Sequence, residues 1–428
     1  MYHSLRDFSL AEWLNYLETS HPIEILLGLS RVQEAARRLN LLTPSCKVIT
    51  VAGTNGKGST VAALESIYIA AGYQTGSYTS PHLLQFNERV KVNAVMASDE
   101  DLCSAFLAVE EARRHTPLTY FEVVTLAALW HFKKYNLDII ILEVGLGGRQ
   151  DATNIIDADL AIITTIDFDH QQYLGNTLEE IGYEKAGILR AGREFIYADH
   201  HPPISVMNEA KKLGCRLYRL GHDYDIGERT ENWFLCMKEK QMHLPRPKIQ
   251  LKAAASAIMA SNLLQSFLPV TDQHIGAAMP MINIPGRLEF IPGKIDIIYD
   301  VSHNPQAACL LAEYIKKLDN KKRVHAVFSA LNDKDLNGLI RPLKNVIHYW
   351  YPAQIKLKRA ASRQAILLAF EELDIFVEAF YADPLNAFFS AKERAEDGDL
   401  VVVYGSFYTV SQIRDALQSN SVEQEEII

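Results

Sequence analysis

The segment from Gly53 to Thr60 limits the possible folds of this chain more than any other. It reads GTNGKGST, it follows a β-branched run at residues 47–52, and it leads into an apolar-periodic stretch at residues 60–71. The order strand, loop, helix is the first half of a βαβ unit. Glycines in such a loop let backbone N–H groups turn inward and hold phosphate oxygens. We therefore predict an α/β fold with a phosphate site at this loop.

The side chains of the loop suit a nucleoside triphosphate. Lys57 is placed to reach the β- and γ-phosphates, and the hydroxyl of Ser59 or Thr60 is placed to meet Mg²⁺. The first glycine lies one residue nearer the lysine than in the usual P-loop pattern. The alternative is a glycine-rich turn with a solvated lysine, which the flanking strand and helix disfavour. The residues predicted here to bind the nucleotide are Thr54, Asn55, Gly56, Lys57, Gly58, Ser59 and Thr60.

The alternation of helices and strands continues along the chain. A predicted helix at 121–135 precedes apolar strands at 138–144 and 160–166. Near-continuous apolar strands between helices indicate a parallel sheet covered on both faces. Pro285 and Gly286 then mark a linker, because both residues interrupt regular structure. After the linker we predict strands at 295–299, 323–328 and 400–404 and a helix at 305–317.

These boundaries predict two domains. The first, residues 1–284, is expected to be a P-loop domain built on a parallel sheet. The second, residues 285–428, is expected to be a smaller, Rossmann-like α/β domain.

Charge and cysteine usage exclude several classes of function. The net charge of -9 argues against a nucleic-acid partner, because such proteins usually carry a basic excess. The five cysteines are scattered and form no CxxC pair, which predicts no zinc site and favours a reducing, cytoplasmic location. We find no export signal and no apolar run of about 18 residues, so no membrane span is expected.

Polar residues follow two of the predicted buried strands. Glu143 ends one strand, where a Mg²⁺ ligand lies in P-loop enzymes, although a strand-end glutamate exposed to water is the alternative. His170 follows the other strand; a lone histidine more often has a structural role, but its place at the C-terminal end of a strand leaves a structural and a functional role equally open. Lys185, taken alone, is expected to be a surface charge. Ser80, in the polar loop TSPHL, is a metal ligand only if that loop folds over the phosphates.

The second domain carries one candidate segment, DVSHNP, at residues 300–305. It follows a predicted strand and opens a helix at Pro305. Such a position suits contacts to ribose or phosphate. The alternative role, a helix N-cap by Asn304, is expected in either case.

Taken in order, these segments resemble the folylpolyglutamate synthase/dihydrofolate synthase family. The similarity runs from about residue 10 to about residue 415 and rests on GTNGKGST, TSPHL, LEVGLGGRQDATN, DHQQYLG, EKAGI and DVSHNP. More distantly, the layout is similar to the Mur ligases. The resemblance implies ATP as cofactor with Mg²⁺ at two sites, a monovalent cation as a further ligand, and a carbamylated Lys185.

The resemblance also implies a role for each matching residue. Catalytic roles fall to Lys57, Lys185, His170 and His303, and Mg²⁺ ligands are Ser59, Ser80, Glu143 and His170. Arg287 and Asp300 are expected to reach ATP from the second domain. The substrate residues are Thr119, Tyr120, Phe121, Glu122, Gln150, Asp151, Ala152 and Ser406, most of them around a pterin. Residues 1–284 would thus bind ATP and pterin, and residues 285–428 would form a glutamate ligase domain.

The implied activity is ATP-dependent ligation of L-glutamate to dihydropteroate and to the γ-carboxyl of folates, through an acyl-phosphate, by a monomer. A domain cleft that closes would exclude water from that intermediate. The alternatives are a Mur-type peptide ligase, folylpolyglutamate synthase activity only, a P-loop switch, and a non-catalytic ATP-binding protein. Three residues depart from the family pattern: Ala253 stands where an asparagine is expected, Ser302 replaces an alanine, and Tyr408 stands where relatives often have histidine.

Overall fold

The computed structural model describes residues 5–20, 26–228, 232–238, 240–318 and 322–425. The chain divides into two compact units, Met1–Asn283 and Ile284–Ile428. Within the described ranges, no helix has both the length and the apolar stretch that crossing a bilayer requires.

An eight-stranded sheet forms the centre of the first unit. Its strands are β1 (Lys47–Ala52), β2 (Thr75–Tyr78), β3 (Val90–Val92), β4 (Val95–Met96), β5 (Ile139–Glu143), β6 (Leu160–Ile163), β7 (Glu194–Tyr197) and β8 (Arg216–Arg219), in the order β4-β3-β2-β5-β1-β6-β7-β8. The six strands from β2 to β8 in that order pair in parallel, as predicted. The edge strands β3 and β4 pair antiparallel, which corrects the expectation of a purely parallel sheet. The connection between β2 and β3 contains only a short 3-10 helix, Phe86–Arg89, and is shorter than the crossover that parallel pairing requires.

Helices cover both faces of this sheet. They are α1 (Leu10–Ser20), α2 (Ser30–Arg38), α3 (Lys57–Ala70), α4 (Asp99–Arg113), α5 (Tyr120–Phe132), α6 (Gln171–Leu174), α7 (Leu178–Lys185), α8 (Ile204–Lys212), α9 (Leu251–Leu263) and α10 (Asp272–Ala278). Two apolar clusters lie on one face, where one buries Trp13, Phe106 and Phe132 and the other buries Phe195 and Tyr197. The buried residues Ile49, Ile141 and Ile162 lie on the opposite face. The central strands β5 and β6 are almost entirely apolar because both of their faces are covered.

Three boundaries differ from the sequence predictions by three residues. Helix α3 begins at Lys57 rather than at residue 60, so the hydroxyls of Ser59 and Thr60 belong to its first turn. Helix α5 ends at Phe132, and strand β6 ends at Ile163 rather than at residue 166. The residues after Ile163 instead support the phosphate loop, as described below.

The sequence analysis missed a three-stranded antiparallel sheet. It consists of β9 (Tyr224–Glu228), β10 (Asn232–Met237) and β11 (Lys240–Pro245), in the order β11-β10-β9. Along β10, Trp233, Leu235 and Met237 are buried while the residues between them are more exposed. Alternation of apolar and polar residues with a period of two is the signature of a half-buried strand, and the sequence of β11, KQMHLP, shows it. Strand β10, NWFLCM, is apolar from its second residue onward and alternates only in burial.

The second unit contains a five-stranded sheet. Its strands are β12 (Glu289–Ile291), β13 (Asp296–Tyr299), β14 (Val324–Phe328), β15 (Tyr349–Pro352) and β16 (Leu400–Tyr404), in the order β12-β13-β16-β14-β15. All pairs are parallel except β12 with β13. The helices are α11 (Pro305–Lys316), α12 (Leu336–Ile340), α13 (Arg363–Glu372), α14 (Pro384–Arg394) and α15 (Phe407–Glu425). The predicted α/β architecture is confirmed.

Candidate active site

The glycine-rich loop connects β1 to α3 and needs glycine at two positions. Gly56 has φ +87° and caps the helix N-terminus. Gly53 has φ +148°, and a Cβ at this position would lie 1.8 Å from Thr164 Oγ1. Left-handed backbone and this close approach together exclude any other residue at Gly53 without displacement of Thr164. The helix N-terminus behind the loop favours an anion.

The chain that follows β6 holds the loop in place. The N–H of Thr54 donates to Thr165 O at 2.8 Å, and the N–H of Asn55 donates to Thr165 Oγ1 at 3.1 Å. Thr164 Oγ1 donates to Asn55 O at 2.6 Å. These bonds pass between two neighbouring strands of the sheet, so the loop conformation depends on residues more than 100 positions away.

Lys57 folds over its own loop. Its Nζ donates to Gly53 O at 2.9 Å and to Thr54 O at 3.1 Å. The hydroxyl of Thr60 donates to Gly56 O at 3.0 Å, so its proton serves the first turn of the helix. Ser59 is buried in the same turn. Of the two predicted hydroxyls, that of Ser59 is the better candidate for a metal ligand.

Glu143 and Ser80 meet beside the first turn of α3. Glu143 is the last residue of β5, and it is buried rather than exposed to water. Its Oε2 accepts a hydrogen bond from the Ser80 N–H at 3.1 Å. A Cβ built on Gly58 would lie 3.6 Å from the same oxygen. The structure therefore brings the TSPHL loop, the strand-end carboxylate and the phosphate loop together.

His170 lies after β6, at the start of α6. It has φ +50°, its N–H donates to Asp169 Oδ1 at 2.9 Å, and its Nε2 lies 3.8 Å from Asp169 Oδ2. The ring is about one-third exposed, with 34% of the side chain accessible. Within the described residues, no cluster of three or more His, Cys, Asp or Glu side chains forms a metal site. A shared metal site of His170 with Glu143 stays a prediction.

Lys185, at the end of α7, is buried, which corrects the expectation of a surface charge. Burial lowers the pKa of its amine to about 7, and the positive charge of Lys57 acts in the same direction. The carboxylates of Asp169 and Asp151 oppose this shift of the pKa. These interactions place Lys185 close to the phosphate loop and make much of its amine neutral near neutral pH.

The glycines after Glu143 allow close packing of the next loop. A Cβ on Gly145 would lie 2.4 Å from Cζ of Phe121, so the Phe121 ring rests directly on the backbone after β5. The Phe121 ring centroid lies 6.1 Å from that of Tyr78. A Cβ on Gly148 would lie 2.9 Å from the carbonyl oxygen of Lys185. An aromatic ring and the buried lysine thus flank the loop that starts at Glu143.

Asp151 organises that same loop. Its carboxylate accepts from the N–H of Leu146 at 2.8 Å, and from the N–H and the hydroxyl of Thr153 at 3.0 and 2.7 Å. Burial nevertheless raises the pKa of this carboxyl. Ala152 is buried and Gln150 is exposed. A carboxylate offers about four acceptor positions, so few remain at Asp151 for a ligand.

The carboxylate oxygens of Glu122 also already have hydrogen-bond and ion-pair partners. It forms a capping box at the start of α5, in which its Oε2 accepts from the Thr119 N–H at 2.8 Å. Its Oε1 pairs with Arg31 Nη2 at 2.9 Å. In the same segment, the ring centroid of Tyr120 lies 5.8 Å from Cζ of Arg89. In the segment predicted to contact the pterin, Glu122 therefore already caps the helix and forms an ion pair with Arg31.

The candidate residues of the second unit gather around Phe407, which the sequence analysis did not single out. Cζ of Arg287 lies 5.2 Å from the Phe407 ring centroid, and the His303 ring centroid lies 6.0 Å from it. His303 Nδ1 lies 2.9 Å from Val301 O. The N-cap role of Asn304 is confirmed, because its side chain accepts from the Ala307 N–H at 3.0 Å.

Asp300 and Ser406 are engaged within their own loops. The Asp300 carboxylate accepts from the N–H of Leu288 at 2.8 Å, from the N–H of Ser302 at 2.9 Å, and from the Ser302 hydroxyl. Burial raises the pKa of Asp300. Ser406 Oγ accepts from the Thr409 N–H at 3.1 Å at the start of α15. The Ser302 hydroxyl, one of the departures from the family pattern, thus gives Asp300 an additional donor.

Ala253, which stands where the family pattern has asparagine, lies in a helix that packs against α3. Ala253 lies in the first turn of α9 and is buried. Helix α9 packs against α3, the helix that carries Lys57. An alanine here provides packing but no polar contact, so any nucleotide contact expected from asparagine at this position is absent from this side chain.

Models of two protein families match the chain. The Mur ligase middle domain matches residues 51–257, and the glutamate ligase domain of Mur ligases matches residues 286–407. The dihydrofolate synthase/folylpolyglutamate synthase of Escherichia coli is 40% identical over 414 residues, covering 96% of both chains.

Solved structures agree with this match. Escherichia coli FolC in complex with DHPP and ADP has a TM-score of 0.93 and 39% identity, covering 97% of this chain and 99% of that one. A bifunctional folylpolyglutamate synthase/dihydrofolate synthase with Mn, AMPPNP and L-glutamate bound has a TM-score of 0.90 and 39% identity, covering 96% and 99%.

Proposed function

The chain belongs to the dihydrofolate synthase/folylpolyglutamate synthase family of Mur ligases, and we propose that it joins L-glutamate to dihydropteroate and to the γ-carboxyl of folates. Members of this family are ATP-dependent, amide-bond-forming ligases, and this chain is one of them. One observation carries the proposed substrates. The loop that starts at the buried Glu143 places the Phe121 ring on Gly145, two residues beyond a carboxylate that adjoins the phosphate loop.

The ligands of related structures support the cofactor and substrates. FolC of Escherichia coli was solved with DHPP and ADP, and the bifunctional relative was solved with Mn, AMPPNP and L-glutamate. We propose that this chain binds ATP and a divalent cation in the same way. The phosphate loop suits a triphosphate, because it combines Lys57, a helix N-terminus and glycines that expose backbone N–H groups.

The residues present fit a magnesium ion. The carboxylate of Glu143 and the hydroxyls of Ser59 and Ser80 are hard oxygen donors, which Mg²⁺ prefers. We propose that they hold one ion with the nucleotide and that His170 contributes to a second site. Bound there, the metal would neutralise charge on the phosphate oxygens. A monovalent cation as an additional ligand is a further proposal from the family resemblance.

The reaction needs no protein nucleophile. A carboxylate oxygen of the acceptor attacks the γ-phosphorus of ATP, the bond to the β-phosphate oxygen breaks, and ADP leaves. Lys57 moves from its loop carbonyls to the phosphate oxygens and stabilises their charge. The neutral amine of glutamate then attacks the acyl carbon of the acyl-phosphate. Phosphate leaves, the amine loses a proton, and an amide bond remains.

Lys185 is proposed to be carbamylated. Its neutral amine would attack CO₂, form an N–C bond and release a proton, which converts a buried amine into an anion. The pKa of about 7 makes this reaction accessible near neutral pH, because only the neutral amine is a nucleophile. Lys57, whose charge acts on Lys185, would then have an anionic neighbour.

The acceptor would lie against α5 and the loop after β5. Phe121 offers an aromatic face to a planar pterin. Thr119, Tyr120, Glu122, Gln150, Asp151 and Ala152 are proposed to surround it. Since Asp151 and Glu122 already accept several hydrogen bonds, we propose that their contribution is mainly to fix the backbone around the pterin.

Roles in the second unit are proposed from the family match. Arg287 and Asp300 would contact ATP, His303 would assist catalysis, and Ser406 would contact substrate. The monomeric state and a cytoplasmic location are likewise proposals.

A coupled phosphate-release assay tests this function. The purified protein should release phosphate only when ATP, glutamate and an acceptor are all present, with dihydropteroate and a reduced folate both accepted. Release with a UDP-linked muramyl acid instead would identify a peptide ligase. Release with folate but not dihydropteroate would leave folylpolyglutamate synthase activity only. ATP hydrolysis that ignores glutamate would indicate a P-loop switch, and no release with any pair would indicate a non-catalytic ATP-binding protein.

A further inference from the structure

The backbone just before Lys185 is bound by the loop that starts at Glu143. Helix α7 ends at Lys185, and the last carbonyl groups of a helix lack the partner that a next turn would supply. The N–H of Arg149 donates to Glu184 O at 2.8 Å, and Arg149 Nη2 donates to Tyr183 O at 3.1 Å. One residue of the loop therefore supplies donors to the two carbonyl groups that precede the lysine.

Asn154 binds the backbone on the other side of the lysine. Its Nδ2 donates to Arg149 O at 3.0 Å and to Gly187 O at 3.0 Å, so the amide joins the loop to the turn two residues beyond Lys185. Its Oδ1 accepts from Arg190 Nη2 at 2.9 Å. The side chain is buried, and both donors and the acceptor of the amide are in use. These three bonds fix its orientation.

The loop and the turn also pack backbone against backbone. A Cβ on Gly187 would lie 2.3 Å from Arg149 Cα. The guanidinium of Arg149 packs on the Tyr183 ring, with Cζ 4.0 Å from the ring centroid, and its Nη2 lies 3.5 Å from Glu209 Oε1 in α8. Contacts this close leave the end of α7 little freedom to move relative to the loop.

Lys185 depends on a fixed backbone because its own side chain is long. Its amine is buried near Lys57 and Asp151, whose charges act on it. A flexible stem of methylene groups separates that amine from the backbone, so a shift of the turn changes its position at the phosphate loop. A displacement of about 1 Å at a reacting group can cost about a hundredfold in rate.

We propose that Asn154 is a positioning residue for Lys185, and that its amide, together with Arg149, holds the lysine amine in the place that carbamylation requires. The inference rests on the carbamylation proposed as part of the function. In that step the amine forms an N–C bond to CO₂ and releases a proton. Asn154 donates to main-chain carbonyls rather than to the amine, so it acts on the geometry of the step and not on the reacting atoms.

A ¹³C NMR spectrum of the protein equilibrated with ¹³C-labelled bicarbonate, Mg²⁺ and ADP tests the proposal without turnover. The wild-type protein should show a carbamate signal that Lys185→Met lacks. Asn154→Ala removes both donors without adding charge, and the signal should fall about tenfold, the scale for loss of a group that orients a ligand. Asn208→Ala is the matched control, because Asn208 is exposed on α8 of the same unit, and it should retain the signal.

The possible spectra separate the two proposals. Absence of the carbamate signal from the wild-type protein would refute carbamylation itself. An undiminished signal in a folded Asn154→Ala protein would overturn only the role of Asn154.

Steady-state kinetics distinguishes positioning from a general loss of structure. Asn154→Ala should lower kcat about ten- to a hundredfold, while the KM values for ATP and the acceptor change by less than about threefold. Because the effect acts through the lysine, Asn154→Ala should lower kcat no further when Lys185→Met is already present. A further decrease in the double variant would overturn the proposal. A wild-type protein without ligase activity would refute the proposed function, and the carbamate signal would still test Asn154.

A second pair of variants covers the case in which Asn154→Ala does not fold. Arg149→Met removes the side-chain bonds to Tyr183 O and Glu209 while its own N–H is unchanged, so the carbamate signal should fall about threefold. Arg149→Lys should restore most of the signal, because an ammonium can donate to the same carbonyl and pair with the same carboxylate. Equal signals from Arg149→Met and the wild-type protein would overturn the proposal.

Discussion

Two neighbouring regions of the first unit differ in how their polar groups are used. The phosphate side consists of the loop from Gly53 to Ser59 with Glu143, and the acceptor side consists of the α5 start and the loop of Asp151. On the phosphate side, the bonds of Lys57 to Gly53 and Thr54 are to neutral carbonyls. On the acceptor side, Glu122 and Asp151 accept from capping N–H groups, a hydroxyl and a guanidinium.

On the phosphate side, a ligand can displace the hydrogen bonds of the side chain. On the acceptor side, the hydrogen bonds of the side chains hold the backbone of the site in place. A carbonyl bond of a lysine is readily exchanged for a phosphate, because a charged acceptor binds an ammonium more strongly. A buried carboxylate with three donors is not readily released, because each donor would lose its partner. Variants on the phosphate side should therefore impair chemistry, and variants on the acceptor side should impair structure as well.

The largest effect is expected for Lys57→Ala. Loss of a cation at the transferring phosphate should lower kcat by roughly a thousandfold or more, as for other groups that stabilise developing charge. The melting temperature should change little, because the bonds of Lys57 to Gly53 and Thr54 are to neutral carbonyl oxygens of its own loop. Phosphate release and thermal unfolding measure the two quantities. Unchanged nucleotide affinity and turnover would contradict the assignment of the phosphate side.

A smaller loss of activity is expected for Glu143→Gln. The amide retains the size of the side chain but removes the negative charge beside Gly58, so the divalent cation should bind more weakly. Activity should fall roughly a hundredfold at low Mg²⁺ and recover partly at high Mg²⁺. A titration of phosphate release against Mg²⁺ shows this. Equal loss at every Mg²⁺ concentration would argue that Glu143 holds Ser80 rather than the metal.

Asp151→Asn should have a mixed effect that tests the acceptor side. The kcat/KM for dihydropteroate should fall about tenfold and the free energy of unfolding by about 1–3 kcal/mol, because buried donors lose a charged acceptor. ATP affinity should be retained. Thr153→Val is the control, since it removes one of the same hydrogen bonds without touching the carboxylate. A loss of ATP affinity as large as that of dihydropteroate would contradict the distinction between the two sides.

The smallest effect is expected from pH, through Lys185. A pKa lowered to about 7 means that the amine is mainly protonated below that pH and mainly neutral above it. At fixed dissolved CO₂, activity should therefore rise roughly fivefold from pH 6 to pH 7, as the neutral amine becomes available for carbamylation. CO₂-depleted buffer should abolish this rise, and Lys185→Met should remove the dependence on CO₂. A rise that persists without CO₂ would contradict carbamylation.

Local patterns predicted much of the fold and the phosphate loop. The strand at 47–52, Gly56 at the start of α3 and the N-cap Asn304 are each recognisable from residues close to them in the chain, and the structure has them. The need for glycine at position 53 depends in addition on Thr164, which is distant in the chain. The β9–β11 sheet was missed although its alternation is visible in the sequence. The antiparallel pairing of β3 depends on its neighbours in space, so no local pattern specified it.

The sequence by itself determined which chemical groups are present and where strands give way to loops, because the glycine, proline and apolar spacing that encode these features act over a few residues. Only the tertiary structure decided which of these groups are buried and which already have hydrogen-bond or ion-pair partners. Burial places Lys185 out of water, Arg31 occupies Glu122, and His82 holds Arg89 beside the acceptor segment. Charge state and hydrogen-bond occupancy depend on desolvation and on partners distant in the chain, and those arise only when the sheet and its loops assemble.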